Sequence, residues 1–300
     1  MRNNLFIVKE CVDVDNFCFL LITTFVYFLY LCPQILIMAK RNKPLLLLTN
    51  DDGVQASGLT NLIDAVRSLG EVVVVAPDVP RSGMSSAITH VNPIRATLLK
   101  EEEGLTVYSC TGTPVDCVKL GLNELLDCKP DLLLSGINHG SNAAVCIFYS
   151  GTIGAVFEGC ITGIPSVGIS LTDYSLCADF SQAMKYGKKV AEKILANGLP
   201  EGICLNLNVP GIPDVKGLKV CSQTKGLWIK EYMEIKDPVG RTAYWLTGDF
   251  LNEEPENKLS DEWALAQGYA ALVPLRIDMT DYSFLEKIKG WENICSFVSE

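Results

Sequence analysis

From Lys43 onward, short apolar runs alternate with helix-length amphipathic segments, and this alternation restricts the fold more than any other feature of the sequence. Short apolar runs bounded by turn residues are typical of strands buried on both faces, and helices between them connect such strands in parallel. The pattern therefore predicts an α/β fold with a mostly parallel sheet covered on both faces. The predicted strands are "PLLLL" (44–48), "EVVVVAP" (71–77), "DLLLSG" (131–136), "PSVGISL" (165–171) and "ICLNLNVP" (203–210).

Four predicted helices lie between these strands, at residues 58–70, 113–126, 152–163 and 180–198. The first is amphipathic and is expected to end at Gly70. The second has Thr113 as its N-cap and Pro114 at its first helical position. A hairpin is expected from "IRATLLK" and "LTVYSC", which the charged turn "EEEG" separates.

The pattern changes from about residue 211, where strand-like runs are richer in Thr, Tyr and Val and their connections are longer. We expect this C-terminal part to form a β-rich arm or an oligomer contact. Its predicted strands are "GLKVCSQ", "RTAYWLTG" and "GYAALVPLRI".

The composition excludes several classes of partner. A net charge of -10 and a pI of about 4.8 argue against a groove of excess Lys and Arg for a nucleic-acid polymer. The twelve cysteines stand singly and only two histidines are present, so no zinc site is predicted. We interpret the cysteines as reduced, mostly buried thiols, with Cys146 and Cys160 as packing residues.

The N-terminal part of the chain has two open interpretations. Residues 16–39 carry no charge and are numerous enough to cross a bilayer of about 30 Å, so they could form a membrane anchor. Alternatively, Met38 is the true start, residues 1–37 are an extension outside the folded protein, and the domain runs from 38 to 300. The basic residues after position 39 would keep the remainder in the cytoplasm in the anchored case, so both interpretations predict a cytoplasmic location.

Three polar loops follow predicted strands: "TNDDG", "PDVPRSGMSS" and "SGINHGSN". Ligands bind at the carboxyl ends of the strands in an open parallel sheet, so these loops should meet at one edge. Asp51 and Asp52 repel each other by roughly 1 to 4 kcal/mol at 4 Å unless a cation lies between them. Oxygen donors from Ser82 and Asn138 suit Mg²⁺ or Mn²⁺. The alternative for "DDG" is a solvated turn.

Two predicted helix starts could bind phosphate through free backbone N–H groups: "YSGT" (149–152) and "TGTP" (111–114). Ser and Thr also cap ordinary helices, so Ser150 and Thr113 keep that alternative. The sequence contains no Walker A motif, no G-x-G-x-x-G and no nucleophile elbow, which favours metal-assisted hydrolysis. His139 is a candidate general acid or base or, alternatively, an incidental loop residue.

Together and in this order, "TNDDG", "APDVPRSGMSSAIT", "TGTPVDC", "DLLLSGINHGSN" and "YSGTIGAVFEG" resemble the SurE family of survival-protein nucleotidases, from about Pro44 to Ile277. The resemblance implies a Rossmann-like three-layer α/β fold whose β-rich C-terminal extension takes part in dimers or tetramers. It also implies divalent-metal-dependent hydrolysis of nucleoside 5′- and 3′-monophosphates, and sometimes of short polyphosphate. The implied metal ligands are Asp51, Asp52, Ser82 and Asn138, and the implied phosphate-site residues are Asn50, Ser150, Gly151 and Thr152.

One segment departs from the family pattern. Many members carry a Gly and an acidic or polar residue before "YSG", whereas this chain has "AAVCIF" (143–148). This change could affect substrate contacts or mark a non-catalytic sensor that binds nucleotide and metal. For catalysis, we expect one metal ion and an attacking water whose proton passes to Asp51 or Asp52, with a phosphoaspartyl intermediate on Asp51 as the alternative.

Overall fold

The computed structural model describes residues 43–175 and 177–295. The predicted anchor at 16–39 and the proposed domain start at 38 lie outside these residues. Within the described ranges, no helix is long and apolar enough to span a membrane.

The described residues contain a nine-stranded sheet in the order β3-β4-β2-β1-β5-β6-β7-β13-β8. The strands from β4 to β7 run parallel to one another, while β3 and β13 join them antiparallel. The predicted mostly parallel α/β sheet is therefore confirmed. The strands of the sheet are β1 (Leu45–Thr49), β2 (Glu71–Pro77), β3 (Ala96–Glu102), β4 (Leu105–Cys110), β5 (Leu132–His139), β6 (Ser166–Leu171), β7 (Ile203–Val209), β8 (Leu218–Val220) and β13 (Ala270–Arg276).

Helices cover both faces of the sheet, which gives three layers. Leu46 and Leu48 on β1 point into a core that includes residues of α1 and α4, whereas Leu47 points into a core with α2 and α3. This alternation follows from the two-residue repeat of a strand, and it explains why every position of β1 is apolar until Thr49. The helices are α1 (Ser57–Val66), α2 (Pro114–Leu120), α3 (Gly151–Ile161), α4 (Ser181–Asn197), α5 (Asp261–Ala266) and α6 (Tyr282–Ile288).

Two helix ends differ from expectation. The first helix ends at Val66 rather than at Gly70, because a turn is needed before the Glu71 N–H can donate to the Pro44 carbonyl at 2.8 Å and start β2. The second helix ends at Leu120, and residues Gly121–Leu125 continue as a π-helical turn. Its start is as predicted: the Thr113 hydroxyl accepts the Asp116 N–H in a capping box.

The C-terminal part is rich in β-structure from β8 onward, as expected. Beside the main sheet it forms two antiparallel pairs, β9 with β12 and β10 with β11. The role of this region in oligomers stays a prediction. The additional strands are β9 (Gly226–Ile229), β10 (Tyr232–Lys236), β11 (Thr242–Leu246) and β12 (Asp249–Asn252).

Candidate active site

The three polar loops lie together at the carboxyl edge of the sheet. The backbone N–H of His139, at the end of β5, donates to the Asp52 carboxylate at 3.1 Å. The Arg81 N–H, in the loop after β2, donates to the Asp51 carbonyl at 2.7 Å. The loop after β1 is therefore tied to both neighbouring loops, and the two aspartates lie between them.

A cavity of about 660 Å³ opens at this edge. This volume falls in the range of sites for small organic ligands. Of the residues predicted for the site, Asp51, Asp52, Ser82, Asn138 and Ser150 line the cavity.

Three further predicted residues, Asn50, Gly151 and Thr152, lie buried beside the cavity rather than in its described lining. The Thr152 hydroxyl donates to the Asp51 carboxylate at 2.5 Å, across 101 residues of sequence. The Asn50 amide donates to the Gly53 carbonyl at 2.9 Å and so closes the turn that carries both aspartates. The contacts of Asn50 and Thr152 thus support the carboxylates and do not reach the open space directly.

The protonation of the aspartates is shifted by burial. Asp51 is only 4% exposed. Burial raises the pKa of its carboxyl to about 6, against the opposing effect of the Thr152 hydrogen bond and with a further increase from the Asp52 charge. Burial also raises the pKa of Asp52, while the His139 N–H lowers it. Both groups would ionise more readily beside a positive charge.

The start of α3 lies against Asp51. The Ser150 side chain accepts the Ile153 N–H at 3.1 Å as an N-cap, so its hydroxyl serves the helix while lining the cavity. A Cβ atom on Gly151 would lie 2.9 Å from the Asp51 Cβ, so glycine is required for this close approach. The positive end of the helix therefore faces the acidic pair.

The donor set fits a hard divalent cation. Among the described residues that line the cavity, none is Lys or Arg. The Asn138 amide nitrogen donates to the Gly140 carbonyl at 2.9 Å, which leaves its side-chain oxygen as an acceptor. No group of three or more His, Cys, Asp or Glu side chains suited to a metal occurs in the described ranges, so a site here would combine two carboxylates with neutral oxygens. Mg²⁺ and Mn²⁺ accept such ligands.

His139 lies in the cavity lining, with its ring edge-on to Phe180 at 6.0 Å between centroids. Its Nε2 atom is buried and has no hydrogen-bond partner within the described part of the chain. The side-chain oxygen of Asn50 is likewise buried and has no hydrogen-bond partner among the described residues. Because His139 lines the cavity, its Nε2 atom is consistent with a polar ligand there, whereas Asn50 lies behind the lining.

Part of the cavity wall comes from the C-terminal arm and was not predicted from the sequence. These residues are more than 75 positions from "SGINHGSN", and they form no local motif. They are Trp228, Glu231, Tyr232, Leu246 and Thr247.

The segment that departs from the family pattern is ordered around the cavity. Residues Ala144–Phe148 form a 3₁₀ helix, and the Ala144 N–H donates to the buried Asp261 carboxylate at 2.9 Å. Cys146 of this segment and the following Tyr149 both line the cavity, whereas Cys160 is buried in α3. The segment therefore forms part of the cavity wall and does not block the cavity.

A doubly covered, mostly parallel sheet with an acidic, oxygen-rich cavity at its carboxyl edge defines an α/β protein of the class that binds ligands at this edge. The family described as survival protein SurE matches residues 46–230. The 5′-nucleotidase SurE of Phocaeicola vulgatus is 50% identical over 252 residues, which cover 84% of this chain and 98% of that protein. The same protein from Flavobacterium psychrophilum is 46% identical over 258 residues, with coverages of 84% and 98%.

The similarity to a solved structure supports the same family. The crystal structure of the SurE protein from Aquifex aeolicus superposes with a TM-score of 0.72 at 37% identity, and the match covers 83% of this chain and all of that one. The chain belongs to the SurE family. The family predicted from the motifs is thereby confirmed.

Proposed function

We propose that this protein is a divalent-metal-dependent phosphomonoesterase, a 5′-nucleotidase that also accepts nucleoside 3′-monophosphates. The observation that supports this most strongly is the pair Asp51 and Asp52 in a cavity whose described lining has no Lys or Arg side chain. A phosphate would be repelled there unless a cation joined it. The relatives named 5′-nucleotidase SurE favour a nucleotide as the substrate.

Four side chains would hold one Mg²⁺ or Mn²⁺ ion: Asp51, Asp52, Ser82 and Asn138. When bound, the ion supplies positive charge for the phosphoryl oxygens and makes an attacking water more acidic. The N-terminal N–H groups of α3 orient and stabilise the phosphate. Asp51 or Asp52 accepts the water's proton, and the Thr152 hydroxyl keeps Asp51 in position for either role.

A direct attack by Asp51 is less well supported. Its carboxylate is almost fully buried, and one oxygen is already engaged by Thr152. Incubation with a phosphate mimic followed by mass analysis tests this route. A covalent adduct on Asp51 would replace the water mechanism with a phosphoaspartyl intermediate.

The competing function is a non-catalytic sensor for nucleotide and metal. The "AAVCIF" segment raised this alternative, but it contributes Cys146 to the described cavity lining and leaves the cavity accessible. Phosphate release from 5′- and 3′-mononucleotides and from tripolyphosphate, with Mn²⁺, Mg²⁺ or EDTA, separates the two functions. We expect release that requires metal. Nucleotide binding without release under any of these conditions would favour the sensor.

We further propose a cytoplasmic location and a homodimer or homotetramer. The acidic charge and the absence of Lys and Arg from the described cavity lining also speak against a nucleic-acid polymer as substrate.

A further inference from the structure

We propose that the nucleobase of the substrate stacks on the indole ring of Trp228, at a site formed by the C-terminal arm. This inference rests on the proposed nucleotidase function, and it assigns a binding role to a residue outside the family's sequence motifs. It also explains what the arm contributes to the cavity.

The wall of the cavity contains two chemically different sets of side chains. One part carries Asp51, Asp52 and Asn138, which suit a cation and a phosphate. A nucleoside monophosphate has a matching division, because its charged phosphate is joined through a sugar to a flat aromatic base. The rest of the wall is rich in aromatic and apolar side chains, and besides Glu231 and Thr247 of the arm it contains Tyr149, Tyr174, Trp228, Tyr232 and Leu246.

Trp228 differs from the tyrosines in how firmly it is held. It is partly buried, whereas Tyr149, Tyr174 and Tyr232 are each more than half exposed. Its ring meets Phe250 of the paired strand β12 in an edge-to-face contact, with centroids 5.8 Å apart and an interplanar angle of 63°. A ring fixed before the ligand arrives binds without the entropy cost of ordering a mobile side chain.

The second contact of Trp228 comes from the segment that departs from the family pattern. Burial raises the pKa of the Cys146 thiol, and the neighbouring Trp228 side chain opposes this increase, so the indole lies beside this residue of the 3₁₀ helix at 144–148. The buried Asp261 joins the 3₁₀ helix to the segment just before β9. Its carboxylate accepts the Ala144 N–H at 2.9 Å and the Thr224 N–H at 3.0 Å, the latter just before β9. Asp261 is therefore a positioning residue that keeps β9 next to the 3₁₀ helix.

This arrangement gives "AAVCIF" a substrate-related role. Cys146 lies beside the ring that receives the base and lines the same cavity. Because every base has an aromatic face, stacking on Trp228 predicts that adenine, guanine and pyrimidine nucleotides are all bound.

The test compares Trp228→Leu, which keeps an apolar side chain but removes the aromatic face, with Trp228→Phe, which keeps a ring. Trp291→Leu is the matched control, because Trp291 is exposed and lies outside the described cavity lining. The kcat/KM for 5′-AMP is divided by that for ribose 5-phosphate, a phosphomonoester without a base, with Mn²⁺ present. We expect this ratio to fall about tenfold or more in Trp228→Leu, mainly through KM for 5′-AMP, and to be largely retained in Trp228→Phe.

A second measurement does not depend on turnover. Adenosine, which has no phosphate, should quench the tryptophan fluorescence of the wild type and of Trp291→Leu, and this saturable quenching should be absent in Trp228→Leu. Quenching without phosphate release from any substrate would contradict the proposed nucleotidase but support the base site. An unchanged substrate ratio in Trp228→Leu, an equal loss for both substrates, or quenching that survives in that variant would overturn the inference.

Discussion

The Asp51 carboxylate is held where its ionised form is unfavourable. It is buried, it neighbours a second carboxylate, and one hydroxyl hydrogen bond offsets only part of this cost. A site that binds a cation needs such negative charge in place before the ion arrives. The metal-free protein should therefore be less stable near neutral pH than it would be without this charge.

Replacement of Asp51 by Asn should raise the stability of the metal-free protein at neutral pH. The folded-state pKa of about 6 lies above the ordinary 3.8, so the folded state binds the proton more tightly and its stability falls as pH rises from about 4 to 6. In EDTA above pH 6, we expect Asp51→Asn to increase the free energy of unfolding by on the order of 2 kcal/mol, an increase that disappears below pH 4. Thermal unfolding across this pH range measures it.

The control for this experiment is Asp64→Asn, on the exposed side of α1. It should change the melting temperature little at any of these pH values. An Asp51→Asn variant that is less stable than the wild type at pH 7 in EDTA would show that the buried charge is compensated within the protein.

At the level of residues, the sequence was informative where the chemistry is local. Two adjacent aspartates after an apolar strand indicated a cation site, and Ser82 and Asn138 do line the same cavity. The hydrogen bond from Thr152 to Asp51 could not be predicted in this way, because a hydroxyl at a helix start has many possible partners. Trp228 was missed for a similar reason, since its neighbours come from other elements.

Among the elements, α3 and the loop after β2 are in unusually close contact. The Ser85 hydroxyl and N–H donate to the carbonyls of Phe148 and Tyr149, just before α3, at 2.7 and 3.2 Å. A Cβ atom on Gly154 would lie 2.2 Å from the Ser85 carbonyl oxygen. Glycine at 154 therefore lets the loop that carries Ser82 lie against the helix.

Replacement of Gly154 by Ala should displace this loop and weaken the site. We expect a loss of about 1–3 kcal/mol in stability from the backbone contact, and at least a tenfold fall in metal-dependent phosphate release because Ser82 moves with the loop. Thermal unfolding and phosphate release from 5′-AMP measure the two effects.

Gly121→Ala is the matched control, because the atoms nearest to its Cβ would be in the Val75 and Leu47 side chains, at the ordinary contact distances of 3.4 and 3.5 Å. We expect Gly121→Ala to change phosphate release and thermal stability only slightly. Full activity in Gly154→Ala would mean that the loop position is unimportant for the site.

The predictability of the elements follows from their burial. Strands such as β2 and β7 lie inside the sheet, and their sequences, rich in buried apolar residues, indicated them to within a residue of their ends. The pairs β9–β12 and β10–β11 lie outside the main sheet and are mostly exposed, and of their four strands only β11 was predicted. The short helices α5 and α6 were also missed, because six or seven residues are too few to establish a helical period.

At the scale of the whole molecule, the β10–β11 hairpin has two different faces. Tyr232 and Leu246, which pair across the strands, both line the cavity. Met233 and Trp245 pair on the opposite face, where they are 54% and 64% exposed. A cross-strand pair of large apolar side chains on an exposed hairpin is suited to association with a second copy of the chain.

We expect the wild type to be a dimer or a tetramer in solution, and Met233→Ser combined with Trp245→Ser to shift it towards smaller species. Size-exclusion chromatography with light scattering measures the mass. The control is Lys236→Ser with Thr242→Ser, a pair on the cavity-side face of the same hairpin. A monomeric wild type, or an unchanged mass in the Met233 and Trp245 variant, would contradict this role of the arm.

In the proposed function, Asp51 and Asp52 together hold a divalent ion on which hydrolysis depends. The most direct measurement is the binding of Mn²⁺, followed by calorimetry, together with phosphate release from 5′-AMP for the wild type, Asp52→Asn and the control Asp64→Asn. We predict one Mn²⁺ per chain in the wild type and the control, with release abolished by EDTA. In Asp52→Asn, weaker Mn²⁺ binding should accompany a fall in release of roughly a hundredfold or more. Undiminished Mn²⁺ binding and release in Asp52→Asn would contradict the claim.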